Sequence, residues 1–96
     1  MLETKIQLNE EGDGKILIEE RGTEIAFMEI SIAKNFITVY HTEVNPSAAG
    51  RGLGKKLLQF VVNYAKNNDL KIIPLCPFVL AQFKRNEAEY TDIWAK

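Results

Sequence analysis

The chain has 96 residues, 46% hydrophobic and 26% charged, with a net charge of −1. A chain this short buries roughly 60–65% of the surface its unfolded form exposes, so one domain spanning residues 1–96 is expected. Near-neutral charge speaks against a nucleic-acid partner; a lone Cys76 and a lone His41 exclude an internal disulfide and speak against a metal centre.

The amino terminus, MLETKIQLNEE, has neither the basic start nor the apolar run of a secretory signal. The uncharged stretch beginning at Ile72 contains two prolines and is too short for a membrane span. A cytoplasmic protein without a membrane partner is therefore expected. Charge is unevenly placed: residues 1–45 hold nine acids and four bases, residues 46–96 four acids and eight bases. Solvated faces of mixed sign account for such blocks. The sharper reading, which such blocks favour less, is a basic half that meets phosphates and an acidic half that meets a cationic substrate.

In chain order, residues 5–8, 15–20, 24–32 and 36–44 are rich in Ile, Val, Phe, Tyr and Thr and read as strands. Glu11-Gly12-Asp13-Gly14, Arg21-Gly22 and Lys34-Asn35 separate them with turn chemistry at hairpin spacing, which predicts an antiparallel meander. In the third strand Ala26, Met28, Ile30 and Ile32 mark one buried face. In the fourth, Phe36, Tyr40 and Val44 face one way and Ile37 and Val39 the other, predicting a central strand covered on both sides.

After Pro46 the period changes. Leu53, Leu57, Leu58, Val61, Val62 and Ala65 recur at helical spacing, opposite Lys55, Lys56, Gln59, Asn63 and Lys66. Asn67-Asn68-Asp69 end this helix, since Asn tolerates a left-handed terminus. Residues 70–75 are a short apolar strand. Pro77 suits the first position of a second helix running to about Arg85, and residues 90–94 are expected to form a short terminal helix packing its aromatics back. The fold class predicted is α/β (α+β): a mixed sheet with an antiparallel meander, then strand–loop–helix–strand–helix.

The loop Asn45-Pro46-Ser47-Ala48-Ala49-Gly50-Arg51-Gly52-Leu53-Gly54-Lys55 joins the fourth strand to the first helix. Alternate glycines let backbone approach a ligand. The unpaired amides and dipole of the following helix make an anion site, and Arg51, Lys55 and Lys56 add charge. The bland alternative is a loop whose glycines serve only its turn. A Walker loop is excluded, because Ala49 and Lys56 stand where Gly and Ser or Thr are required. A dinucleotide fingerprint fails too, because Lys55 or Leu57 falls where a third small residue is needed.

Ala49-Gly50-Arg51-Gly52-Leu53-Gly54 resembles the acyl-CoA loop of the GNAT N-acetyltransferase superfamily, Gln/Arg-x-x-Gly-x-Gly/Ala, with Ala49 at the Gln/Arg position. His41-Thr42-Glu43-Val44 before it, and Pro74-Leu75-Cys76-Pro77-Phe78 after the next strand, look like a short-chain subfamily with a Cys-Pro-Phe segment. The resemblance implies acetyl transfer from acetyl-CoA to a primary amine, or else a non-catalytic CoA-binding module of the same fold. It implies cofactor contacts from Val44, Asn45, Ala49, Gly50, Arg51, Gly52, Leu53, Gly54 and Lys55, with Val44 and Asn45 offering backbone groups to the pantetheine arm. Arg51 is the candidate to replace the side-chain contact missing at Ala49.

For the chemistry, His41 and Glu43 share a strand face beside the loop, and His41 titrates nearest neutrality. Cys76 precedes Pro77, where a helix start would favour thiolate. These three are the candidate catalytic residues. Each has a plainer reading: a histidine bonded within the sheet, a solvated carboxylate, an inert buried cysteine. Tyr90 is a candidate proton donor to a leaving thiolate, or a packing residue.

Overall fold

The turns between the first four strands are built where left-handed backbone is tolerated. Gly12, Arg21, Gly22 and Lys34 have positive φ (88, 54, 80 and 56°), the geometry that lets adjacent strands reverse tightly. The computed structural model describes all 96 residues. It contains β1 (Leu2–Leu8), β2 (Asp13–Glu20), β3 (Thr23–Ala33) and β4 (Phe36–Val44) as the predicted antiparallel meander. Then come α1 (Leu53–Asn67), β5 (Lys71–Pro74), α2 (Pro77–Arg85) and the short α3 (Glu87–Tyr90). The sheet order is β1-β2-β3-β4-β5, with β5 parallel to β4 through the α1 crossover.

The period-two pattern places Ile16 and Ile18 of β2, Ala26, Met28 and Ile30 of β3, and Ile37 and Val39 of β4 on one face. Leu53, Leu57, Leu58, Val61, Val62 and Ala65 of α1 cover it, as their spacing predicts. Each of the Ile, Leu, Val and Met side chains among them contributes about 1.5–3 kcal/mol on burial. Val79 and Phe83 of α2, Tyr90 and Ile93 join the same apolar cluster. The shortest dimension is 20 Å, the thickness of a sheet carrying one layer of helices.

That single layer corrects the expectation for β4, which lies between β3 and β5 but is not covered on both faces. Phe36 and Tyr40 are 40% and 43% exposed. The reason is that helices cover only the other face. β4 also carries a bulge: pairing with β3 shifts between Glu29 and Ile30, leaving Tyr40 as the extra residue, its hydroxyl 2.7 Å from Ser31 Oγ. The carboxyl terminus also differs. Helix ends at Tyr90, and the expected helix over 90–94 is absent. Ile72 N–H donates to Ile93 O and Ala95 N–H to Ile72 O, so the segment pairs with the free edge of β5. An unpaired edge outweighs helical spacing. At the end of α1, Asp69, not an asparagine, takes the left-handed conformation (φ 55°). Asn68 instead bonds Tyr64 O through both its amide and its side chain.

Candidate functional site

β4 and β5 stay paired only from Phe36 to Val39 on β4 and Lys71 to Pro74 on β5. The last link is Cys76 N–H to Val39 O at 2.9 Å. Beyond it β4 continues five residues to Val44 without a partner on that side, and a cleft opens. Asn45 N–H donates to Ile25 O of β3. Alternation along an antiparallel pair therefore turns the backbone amides and carbonyls of Val44 and Thr42 into the cleft. Of the two residues expected to offer backbone to a cofactor, Val44 faces the cleft. Asn45 is engaged elsewhere: its side chain accepts from the amide and hydroxyl of Ser47, both at 2.9 Å, and caps a 3-10 turn over Pro46–Ala48.

The glycine loop follows. Gly50 and Gly52 have φ of 83° and 71°, and a Cβ on either meets nothing within 4 Å. Their conformation favours glycine, and the space beside them is open. Gly52 is the N-cap of α1, with no side-chain cap and no acidic residue in the first turn. Leu53 is buried, while Lys55 and Lys56 are exposed in that turn. Two lysines at the positive end of a helix dipole are electrostatically unfavourable until an anion arrives. Gly54 sits inside the helix against α2, with the Phe78 ring 3.3 Å from where its Cβ would be. Ala49 is exposed, its N–H on Pro46 O.

Arg51 reaches from the loop to the sheet. Its Nη1 and Nη2 donate to the two carboxylate oxygens of Glu20 at 3.0 and 2.8 Å. That hydrogen bonding holds the Glu20 carboxyl below its usual range and raises the Arg51 guanidinium.

The candidate catalytic residues divide between the two faces of β4. Cys76, 2% exposed, is the N-cap of α2, and its Sγ lies 3.3 Å from Thr42 Oγ1 across the cleft. Sequence reading missed Thr42; its partner is 34 residues away, and no local pattern marks the pair. His41 and Glu43 share one face of β4, as their spacing predicts, and it is the uncovered one; Nε2 and Oε1 are 3.2 Å apart. The imidazole stands edge-on to Phe27, ring centres 6.1 Å apart. Beside them is a shallow hollow lined in part by Phe27, Glu43, Asn45 and Pro46. Tyr90 is 8% exposed and stacked on Phe83 at 4.6 Å. Desolvation, then the nearby Glu89 charge, raises its phenol pKa. Its burial and its stacking on Phe83 place Tyr90 in packing. No group of metal-binding side chains is present, and no helix is long and apolar enough to cross a membrane.

A scan of curated proteins finds no match. Among solved structures, the chain is similar to a protein from Staphylococcus aureus described as GCN5-like. The two share 32% identity over 95% of this chain and 87% of that one, with a TM-score of 0.67. It also superposes on the ribosomal-protein-S18-alanine N-acetyltransferase of Escherichia coli (18% identity, TM-score 0.62). That match covers 69% of this chain but only 43% of the other. A third likeness is to the aminoglycoside N-acetyltransferase AAC(6')-Iy in complex with CoA (19% identity, 80% and 66% covered, TM-score 0.55). The last two show the fold alone. Residues 15–93 match the description "GCN5-related N-acetyl-transferase", a span from β2 to the strand-like end that takes in the cleft, the glycine loop and Cys76; the chain belongs to the GCN5-related N-acetyltransferase family.

Proposed function

We propose that the chain transfers an acetyl group from acetyl-CoA to a primary amine. The observation that carries this reading is the uncapped start of α1, with left-handed Gly50 and Gly52 in open space before it and Lys55 and Lys56 around it. Free amides, dipole and lysines suit the diphosphate of CoA. The backbone of Val44 and Thr42 suits the amide-bearing pantetheine arm in the cleft between β4 and α2. The residues present therefore fit the cofactor.

In the reaction an N–C bond forms and the thioester C–S bond breaks. One proton leaves the amine nitrogen and one reaches the CoA sulfur. The amine approaches from the uncovered face, over the hollow beside Phe27 and Glu43. His41 takes its proton on Nδ1, because Nε2 donates to Glu43 Oε1, and Glu43 stabilises the imidazolium that results. Cys76, on the other side of the strand, supplies its thiol proton to the departing sulfur, with Thr42 Oγ1 fixing the direction of Sγ.

Thermal melting with CoA, acetyl-CoA, ATP and NAD tests the ligand class: CoA at 100 times its dissociation constant adds about 2.7 kcal/mol, and ATP and NAD add little. Intact-mass analysis after incubation with acetyl-CoA tests the chemistry. An acetyl adduct on Cys76 that disappears on adding an amine replaces proton donation by a covalent step. The alternative, a CoA-binding module without turnover, is supported by the separation of His41 from Cys76 onto opposite faces of β4. CoA binding with no transfer to any of a panel of primary amines favours it.

A further inference from the structure

Gly50 and Arg51, the middle of the glycine loop, make no backbone hydrogen bond; the nearest are Ala49 N–H to Pro46 O and Lys56 N–H to Gly52 O. A Cβ added to Gly50 or Gly52 would meet nothing within 4 Å, so no packed side chain lies beside either. What ties the middle of the loop to the sheet is the Arg51 side chain, forked onto Glu20 at the end of β2. A two-bond guanidinium–carboxylate fork fixes orientation as well as distance. The pair is partly exposed, with 41% and 33% of its side-chain surfaces accessible, so it adds little to global stability. Its effect is local. A carboxylate beside a phosphate site is repulsive unless neutralised, and Arg51 neutralises it while keeping donors that Glu20 does not use.

We propose that Glu20 is a positioning residue for the phosphate site: through Arg51 it anchors the glycine loop and holds the guanidinium at the loop's rim, with its remaining N–H groups available to a CoA phosphate. This rests on the acyl-CoA reading. It adds to that reading a residue 30 positions before the loop's first glycine, in a strand that carries no part of the family motif.

Two measurements test it. The first needs no ligand: backbone NMR relaxation at Gly50 and Gly52 in wild type and Glu20→Gln. The expected result is an ordered loop in wild type and a mobile one in the variant, with the urea midpoint nearly unchanged. The second is affinity for CoA and for pantetheine, which lacks phosphate. Glu20→Gln is expected to weaken CoA about tenfold, a coupling of ordinary size, and to leave pantetheine unaffected. Arg51→Ala should do the same, the double variant should be no worse than Arg51→Ala alone, and Glu20→Asp should recover part of the loss. An unchanged loop in Glu20→Gln, tighter CoA binding, or equal losses for CoA and pantetheine overturns the proposal. A wild-type protein that binds no CoA, with loop order still dependent on Glu20, overturns the acyl-CoA reading and leaves the anchor standing.

Discussion

Gly52 and Gly54 lie two residues apart in the loop, yet different physics holds each. At Gly52 the backbone is left-handed and the surroundings empty; at Gly54 the backbone is helical and the Phe78 ring is close. Gly52→Ala should therefore cost about 1–2 kcal/mol through conformation alone and weaken CoA. Gly54→Ala gains helix propensity of about 1 kcal/mol against a tight contact, so its urea-derived stability should stay within about 1 kcal/mol of wild type. Equal losses at the two sites contradict this division. The Glu20 fork predicts a pH response. Its carboxyl is held below its ordinary value of 4.5 by the hydrogen bond from Arg51. A depressed carboxyl contributes above its unfolded pKa and loses that contribution as pH falls through the folded one. Loop order should then be flat from pH 7 to about 4.5 and decline only below, while Glu20→Gln shows no such step; NMR of the Gly50 and Gly52 amides reads both. At this scale the glycine spacing was legible, because left-handed backbone selects a residue type. The faces of the catalytic candidates were not. Counting by twos from Ile37 and Val39 sends His41 toward the core; the bulge at Tyr40 sends it outward, and no residue type announces a bulge.

The helices and strands follow from period and punctuation. The apolar stripe of α1 and Pro77 at the start of α2 fixed both elements almost to the residue. Where elements compete for one partner, sequence period loses its authority. Tyr90 and Trp94 have helical spacing, but the edge of β5 offered Ile72 N–H and O, and the chain took up those bonds. In the same way β4 has apolar residues on two faces, and only the existence of another helix would have covered the second. α2 depends on its aromatic anchor. Phe83 is fully buried, stacked on Tyr90 and edge-on to Trp94 at 5.4 Å. Phe83→Ala should cost about 3–5 kcal/mol and lower the melting temperature; a loss under 1 kcal/mol would mean that α2 packs less firmly than its burial implies.

The whole molecule divides its labour between two kinds of connection. The meander is joined by hairpins, each strand paired with its sequence neighbour over nearly its full length. The remainder joins it through side-chain packing and one parallel seam of four residue pairs. The wedge of space that this short seam leaves open is where we place the pantetheine arm, so a bound ligand would touch both parts. The seam therefore has a consequence in time as well as in space. A unit held by few main-chain bonds can part from its neighbour without global unfolding, so amides of β5 and the start of α2 should exchange with deuterium through a smaller opening than those of β2 and β3. CoA, bridging the two parts, should slow exchange at Ile72 and Cys76 more than at Ile16 or Met28. Uniform exchange energies across the sheet, with or without CoA, would show that the seam opens only when everything does. If the expected gradient is found, one wall of the cofactor's wedge moves on a clock of its own, faster than the sheet that carries the other.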